Sequence, residues 1–164
     1  MSFLDSLKSA KTEDISKGLQ ELSADDRQKV LEALKQLEAE AFKSIAGSFS
    51  CSGGDGDWGD YSMQVSVGAD GGGRIKEVRC TFRDSPEETE IWYGTFSYNG
   101  DLLTFNGTEV ETESSGAGGV HKEPKQPGKK AFYFKTGEGK TLVQCSAEGE
   151  EHEMPFRDGK KILK

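Results

Sequence analysis

The stretch DYSMQVSVGADG, residues 60–71, decides the fold class of this chain. Four apolar residues alternate with polar ones along it: Tyr61, Met63, Val65 and Val67. Alternation is the period of a half-buried β-strand. The strand ends at Asp70-Gly71, a pair that supplies the positive φ of a hairpin turn at low cost. The stretch therefore predicts one strand of an antiparallel sheet that has one face buried and the other in water.

The same period continues to the C-terminus, so the chain predicts a β-meander. Further alternating runs cover residues 78–82, 91–98, 103–105, 132–134, 143–145 and 154–156. Asn99-Gly100 and Asp158-Gly159 are hairpin signals between such runs. A meander of about eight strands is expected to close into an up-and-down barrel, because closure removes the exposed sheet edges. The long exception is residues 113–128, a polar stretch rich in Gly and Pro that is expected to form a mobile loop.

The first 43 residues have a different character. Only one glycine, Gly18, precedes Ile45, whereas twenty follow it. Ser23 is a good N-cap, and the apolar residues after it recur at helical spacing. A shorter helix is expected to open at Thr12, and Phe3, Leu4 and Leu7 are candidates for an initial turn. The spaced apolar residues of the main helix are Val30, Leu31, Leu34, Leu37 and Ala41.

These patterns predict an α+β protein: an N-terminal helical hairpin or small bundle, then an antiparallel up-and-down β-barrel of about eight strands. The helical segment is expected to span residues 1–43 and the barrel residues 44–164, together forming one compact domain. A helical hairpin of this length does not bury its apolar stripe alone. It is expected to pack on the barrel, on itself or on another protein.

Charge and hydropathy exclude several classes of function. The net charge is −8, with 7 basic and 9 acidic residues in 1–45, and 14 and 20 in the remainder. Because both parts are acidic, binding to nucleic acid or to an anionic membrane surface is disfavoured. No run approaches the roughly 18 apolar residues of a membrane-spanning helix. The N-terminus lacks the pattern of a secretory signal, so a cytoplasmic protein is expected.

No catalytic or metal-binding motif is complete. The cysteines Cys51, Cys80 and Cys145 lack CxxC spacing and are expected to be buried free thiols, and His121 and His152 are expected at the surface. The loop Asp55 to Asp60 begins like a calcium-binding EF-hand loop, but its sixth residue is Asp60 where Gly is required, and Ser66 stands where Glu is required. An acidic loop is therefore expected rather than a metal site. The sequence predicts no enzyme activity and names no cofactor.

The layout of helices followed by a β-meander resembles the calycin group, which includes lipocalins and fatty-acid-binding proteins. Gly47-Ser48-Phe49 resembles the Gly-x-Trp that opens the first lipocalin strand, with Phe in place of Trp. The helices precede the barrel here, whereas the lipocalin helix follows the barrel. The pairing of a helical bundle with a calycin-like barrel is similar to that in dinoflagellate luciferase domains. The resemblance covers residues 44–164 as architecture, and no functional residue is transferred from it.

Aromatic residues are the main candidates for a binding site. Seven of them are expected to line the barrel: Tyr61, Phe82, Trp92, Phe96, Phe105, Phe132 and Phe134. Arg79 is expected on the polar face, as are Arg83 and the carboxylates of Glu87, Glu88 and Glu90. The sequence thus predicts a non-enzymatic protein that binds a small hydrophobic ligand inside the barrel. The alternative is an accessory subunit with a filled barrel, which docks a protein partner through its helices or acidic surface.

Overall fold

The computed structural model describes residues 12–54, 59–82, 84–99 and 101–164. The chain divides into two compact units between Glu38 and Ala39. The helical pattern continues across this boundary, but Phe42 and Ile45 are buried and belong to the core of the second unit. The end of the helix is thus part of the barrel unit. That both units form one domain stays a prediction.

Two helices occupy the start of the described chain. Helix α1 spans Thr12–Glu21 and helix α2 spans Ala24–Ile45. Ser23 caps α2, since its hydroxyl oxygen accepts a hydrogen bond from the backbone N–H of Asp26 at 3.2 Å. Arg27 donates to the backbone carbonyls of Leu22 and Gln20 and so satisfies oxygens that the end of α1 leaves free. Both predicted helices are confirmed, and the turn expected at residues 3–7 lies outside the described residues.

The second unit is an eight-stranded antiparallel barrel in which every strand pairs with the next one along the chain. Residues Ser50 and Lys164 exchange two backbone hydrogen bonds of 3.0 Å, which join the end of the chain to the first strand. This nearly closed, up-and-down barrel confirms the predicted fold class. The strands are β1 Gly47–Gly54, β2 Asp60–Val67, β3 Gly72–Cys80, β4 Glu87–Tyr98, β5 Leu102–Gly116, β6 Gly119–Gly137, β7 Thr141–Cys145 and β8 Ile162–Leu163.

The predicted facing of β3 is wrong. The alternation of Val78, Cys80 and Phe82 predicted that these residues face the barrel interior. Ile75 is fully buried instead, so the odd-numbered residues of β3 face the interior and the even-numbered ones face outward. Val78 and Cys80 are half-buried, and Phe82, beyond the end of β3, is 56% exposed. Because successive residues of a strand alternate between faces, Glu77 and Arg79 share the inward face of Ile75. The barrel interior therefore receives charge from β3.

The loop expected at residues 113–128 is instead a long β-hairpin. Strands β5 and β6 pair from Leu102 to Gly116, and Gly116 faces Gly119 at the turn. Two register shifts each place one extra residue in β6, next to Pro127 and within the segment that contains Pro124. Bulges accommodate prolines, which cannot donate a ladder hydrogen bond. The sequence reasoning treated Gly and Pro as loop signals and missed the bulges.

The last predicted strand is also misplaced. Residues 154–156 are not a strand, and the chain instead reaches the sheet at Ile162–Leu163. The preceding segment is tied down by isolated bridges from Glu151 to Cys145 and from Glu153 to Lys160. Phe156 has a φ of 64°, which a regular strand does not allow. A left-handed residue interrupts the alternation that predicted the strand.

Candidate functional site

Charged side chains enter the barrel where β2 begins, β3 ends and β4 begins. Across β2 and β3, Tyr61 pairs with Arg79, and across β3 and β4, Arg79 pairs with Glu88 and Glu77 with Glu90. Paired residues on neighbouring strands lie on the same face of a sheet. Because Tyr61 is on the inward face, its partner Arg79 and the partner of Arg79, Glu88, are on that face as well. Strand register therefore assembles the site.

Lys130 of β6 joins two carboxylates from neighbouring strands. Its Nζ donates to Glu77 Oε2 at 3.3 Å and to Glu90 Oε2 at 2.9 Å. Trp92 Nε1 donates to the same Glu90 oxygen at 2.9 Å. The ammonium also lies over the rings of Trp92 and Phe132, 5.6 and 4.9 Å from their centroids. Lys130 is thus held by charge-assisted hydrogen bonds and by aromatic faces.

Tyr61 continues this network toward the last strand. Tyr61 Oη donates to Glu77 Oε1 at 2.8 Å and accepts a hydrogen bond from Lys161 Nζ at 3.2 Å. The result is an unbroken series of hydrogen bonds, which we call the polar chain. It consists of Lys161, Tyr61, Glu77, Lys130, Glu90 and Trp92.

Burial and partners set the protonation of these groups. Burial raises the pKa of Tyr61, and the charge of Glu77 raises it further, so the phenol stays protonated. At Glu90 burial favours the neutral acid, but the hydrogen bonds from Trp92 and Lys130 outweigh it and lower the pKa. At Lys130 burial is likewise outweighed, by Glu90 and Glu77, and the pKa is raised. Glu90 and Lys130 therefore remain an ion pair.

A cavity of about 160 Å³ lies beside the polar chain, and we call it the rim cavity. Of its charged groups, Glu77 is half-buried, whereas Arg79 and Glu88 are exposed. Arg79 lies 5.8 Å from the centroid of the Tyr61 ring. Within the described residues, neither Arg79 nor Glu88 takes part in a salt bridge or a side-chain hydrogen bond. The lining residues are Tyr61, Glu77, Arg79, Glu88, Glu90 and Lys130.

Away from the rim cavity the barrel is densely packed. Phe105 lies 4.8 Å from Phe96 and 6.1 Å from Phe132 between ring centroids, both in tilted contacts. A group of side chains has an exposed fraction of 0%, so no water-sized space touches any of them. This group consists of Met63, Val65, Ile75, Leu103, Phe105, Phe134 and Leu163.

Six of the seven aromatic candidates lie where the sequence predicted them. Tyr61, Trp92, Phe96, Phe105, Phe132 and Phe134 are buried, whereas Phe82 is outside the barrel. Tyr61 lines the rim cavity directly, and Trp92 contacts it through Glu90. Phe105 and Phe134 belong to the packed group. Their role in ligand binding stays a prediction.

Sequence reasoning missed the charged half of this site. The wrong parity of β3 placed Arg79, and with it Glu77, on the polar face, and no sequence pattern pointed to Lys130 or Lys161. Ile75 carried the missing signal. It lies two positions before Glu77, which puts the two on the same face of a strand, and three positions before Val78, which puts Val78 on the other face. A strand that buries Ile75 has to turn Glu77 and Arg79 toward the same face.

The cysteines and histidines form no further site within the described residues. Cys145 is buried, Cys51 and Cys80 are half-buried, and all three are free thiols. Burial raises the pKa of Cys51 and Cys145. His121 is exposed, and the half-buried His152 has a pKa lowered by burial and by the charge of Lys161. No cluster of three potential metal ligands occurs in the described ranges, and most of the acidic loop, residues 55–58, lies outside them.

In the part of the chain that the structure describes, neither helix has the length and apolar character that crossing a membrane demands. The chain matches no protein-family model, and no curated protein or solved structure is significantly similar to it. The arrangement of helices followed by an eight-stranded barrel is compatible with calycin-like architecture.

Proposed function

We propose that this protein binds one small polar molecule in the rim cavity of a calycin-like barrel. The observation that carries the proposal is the convergence of Tyr61, Arg79 and Glu88 on a cavity whose other charges are already paired. Small-molecule sites are concave and combine an apolar wall with a few convergent polar groups. The ring of Tyr61, which lines the cavity, supplies such a wall.

The size of the cavity limits the ligand. Its volume is about 160 Å³. An apolar cavity of about 150 Å³ accepts benzene, and a water molecule in the liquid occupies about 30 Å³. We therefore propose a ligand of about the size of a single six-membered ring. A long-chain hydrophobic ligand, such as those of fatty-acid-binding proteins, does not fit beside the fully buried side chains described above.

The chemistry of the cavity selects a ligand that carries a carboxylate. Glu77 and Glu90 are neutralised by Lys130, whereas the guanidinium of Arg79 retains donors that face no carboxylate within 4.0 Å among the described residues. Guanidinium and carboxylate match in a bidentate geometry. Glu88 lies across from Arg79 and offers an acceptor to a hydroxyl or amine of the same molecule.

The proposal is tested by titrating the labelled protein with small carboxylates, amines and neutral amides in ¹H–¹⁵N correlation spectra. Carboxylates are expected to shift the amide signals of Tyr61, Arg79 and Glu88, and Arg79→Gln is expected to weaken their binding by about tenfold. The matched control is Arg74→Gln, because Arg74 is exposed on the same strand but has the opposite parity. Shifts confined to other surfaces, or equal effects of both variants, would contradict the proposal.

A second candidate function is self-association through the helices, a case of the docking that the sequence suggested. Leu31 and Leu34 of α2 are 51% and 40% exposed, although both belong to the apolar stripe. Light scattering after size exclusion tests it. A dimer that Leu34→Lys disrupts, and that Lys35→Gln leaves intact, is the expected result. A monomer at high protein concentration would exclude a second copy as the partner.

A further inference from the structure

Lys161 is an unusual residue of the barrel. It is 8% exposed, and both its backbone N–H and its backbone carbonyl form hydrogen bonds. Its N–H donates to the carbonyl of His152 at 2.8 Å, and its carbonyl accepts from the N–H of Gln144 at 3.0 Å. Lysine is rarely so buried unless a carboxylate pairs with it. A lysine in this position needs a physical explanation.

The side chain of Lys161 has a phenol where a carboxylate would be expected. Its Nζ donates to Tyr61 Oη at 3.2 Å and lies 4.5 Å from the centroid of the Tyr61 ring. Within the described residues no carboxylate lies within 4.0 Å of this nitrogen, in contrast to Lys130, which has two. The amine is therefore held in place without being locked in its charged form.

The surroundings of Lys161 favour the neutral amine. Burial is the main cause of its lowered pKa; Glu77 and Cys51 act in the opposite direction, and the positive charges of Arg79 and Lys130 lower the pKa further. Desolvation and neighbouring cations are the two means by which proteins turn a lysine into a nucleophile. The titratable groups that act on it or contact it are Cys51 of β1, Tyr61 of β2, Glu77 and Arg79 of β3, Lys130 of β6, and His152.

A second polar group near Lys161 lacks a partner. Gln144 is bonded through its backbone to Lys161 and is 6% exposed, and its side-chain oxygen accepts no hydrogen bond from any residue that the structure describes. A buried acceptor without a donor destabilises the folded state, because it has lost its hydrogen bonds to water. Gln144 pairs with the inward-facing Phe134, so its side chain is on the interior face of β7. The interior thus holds an amine and an unsatisfied acceptor on adjacent strand positions.

We propose that Lys161 forms an imine with a small aldehyde that carries a carboxylate and enters through the rim cavity. The inference rests on the proposed function, since Tyr61 both lines that cavity and contacts the amine. Lys161 does not itself line the cavity, so Arg79 binds the carboxylate at the rim and the aldehyde carbon reaches Nζ past the phenol of Tyr61. The smallest such molecule, glyoxylate, is well below the size limit of the cavity.

The reaction balances without any further reactant. The lone pair of Nζ forms a bond to the carbonyl carbon, and one N–H proton passes to the former carbonyl oxygen to give a carbinolamine. The new hydroxyl is a donor of the kind that Gln144 Oε1 lacks. The carbon–oxygen bond then breaks, the second N–H proton leaves with the hydroxyl as water, and the carbon–nitrogen double bond forms. No electron is gained or lost overall.

The experiment treats the full-length protein with glyoxylate and cyanoborohydride at pH 7, which reduces the imine to a stable secondary amine. Peptide mass spectrometry then locates the adduct. Lys160 is a matched control in the same chain, because it is adjacent, exposed and paired with Glu153 at 3.5 Å. Lys161 is expected to be modified on the order of tenfold faster than Lys160. This preference should shrink as the pH approaches 10, where exposed lysines also lose their protons.

Several outcomes overturn the inference. If exposed lysines are modified first and Lys161 last, the amine is not a reactive site. The same conclusion follows if the preference for Lys161 does not change with pH, because a lowered pKa then does not explain it. The wild-type protein answers both questions, so the result does not depend on whether Lys161→Arg folds.

Glycolate separates this inference from the proposed function, because it carries the carboxylate but has no carbonyl that can condense. If glycolate shifts the amide signals of the rim cavity and glyoxylate leaves Lys161 unmodified, the imine is refuted and the binding function stands. If glyoxylate modifies Lys161 and glycolate shifts no rim signal, the imine is supported and the rim cavity is refuted as the binding site.

Discussion

Lys130 and Lys161 lie at the same end of the barrel, yet the pKa moves upward at one and downward at the other. Burial lowers the pKa of both ammonium groups, but two carboxylates outweigh it at Lys130, and Lys161 has only a phenol and the more distant Glu77. The partner, not the degree of burial, decides the charge state. One lysine is a fixed cation of the polar chain and the other is its titratable end.

This difference predicts how stability depends on pH. Because the folded-state pKa of Lys161 is lowered, the unfolded chain binds more protons between that pKa and about 10.4, and stability rises with pH in this window. We expect the free energy of unfolding of the wild type to rise relative to Lys161→Met as the pH increases toward about 10.4. One group contributes at most about 1.4 kcal/mol per pH unit.

Urea denaturation at several pH values measures the effect. The other titrating groups are common to both proteins, so they largely cancel in the difference. Lys160→Met is the control, and its stability should stay parallel to that of the wild type, since Lys160 is exposed. If the free energy of unfolding of Lys161→Met also runs parallel to that of the wild type across this pH range, Lys161 has the same pKa in the folded and unfolded chains.

At the scale of elements, the long β5–β6 hairpin has a free edge. Within the described residues, β6 pairs with β7 only from Tyr133 to Gly137, so its outer edge from Gly119 onward has no partner strand. Lys122 and Lys125 form salt bridges with Glu113 and Glu109 of β5. Charges and prolines are the usual means by which proteins protect an exposed edge from pairing with another chain.

We therefore expect Pro124→Thr combined with Pro127→Thr to increase aggregation several-fold, because both substitutions restore an N–H donor in a strand whose outer edge has no partner among the described residues. Light scattering during incubation at constant temperature measures it. The other two prolines of the chain, Pro86 and Pro155, lie outside the strands and provide the matched double variant. Equal aggregation of the two double variants would show that the hairpin edge is not the vulnerable surface.

At the scale of the whole molecule, helix α2 contributes residues to both compact units, because the boundary between the units falls within it. Helix α2 begins in the first unit with exposed Leu31 and Leu34, and ends in the second with Phe42, which is 3% exposed. The hydrophobic contribution of a side chain depends on the area that it removes from water. The stability of the barrel should thus depend on the last turn of α2 and little on the turns before it.

Phe42→Ala is expected to lower the free energy of unfolding of the barrel by about 3–5 kcal/mol, as for other buried phenylalanines. Leu34→Ala, on the same helix, should change it by about 0.5 kcal/mol or less, since Leu34 is 40% exposed. Denaturation followed by the near-ultraviolet signal of the aromatic core compares them. Similar losses for both variants would indicate that the two units unfold as one.

Part of the candidate site was predictable and part was not. The inward position of Tyr61 follows from the alternation of β2, because all the large apolar residues of that strand lie on one face. Glu77 and Arg79 were missed because two alternations compete in β3, and the Val78 set outnumbers Ile75. Lys161 could not be found at all, because the strand after it has only two residues and gives no period to read.

The sequence by itself determined the fold class: two helices, then an antiparallel meander long enough to close. Helix caps, hairpin turns and alternation are local signals, and each acts within a few residues of itself. Only the tertiary structure decided which charges share the interior, because Tyr61 and Lys161 are one hundred positions apart and meet through strand register and barrel closure. The close packing of the core was decided at the same level, since it depends on how side chains from different strands fit together.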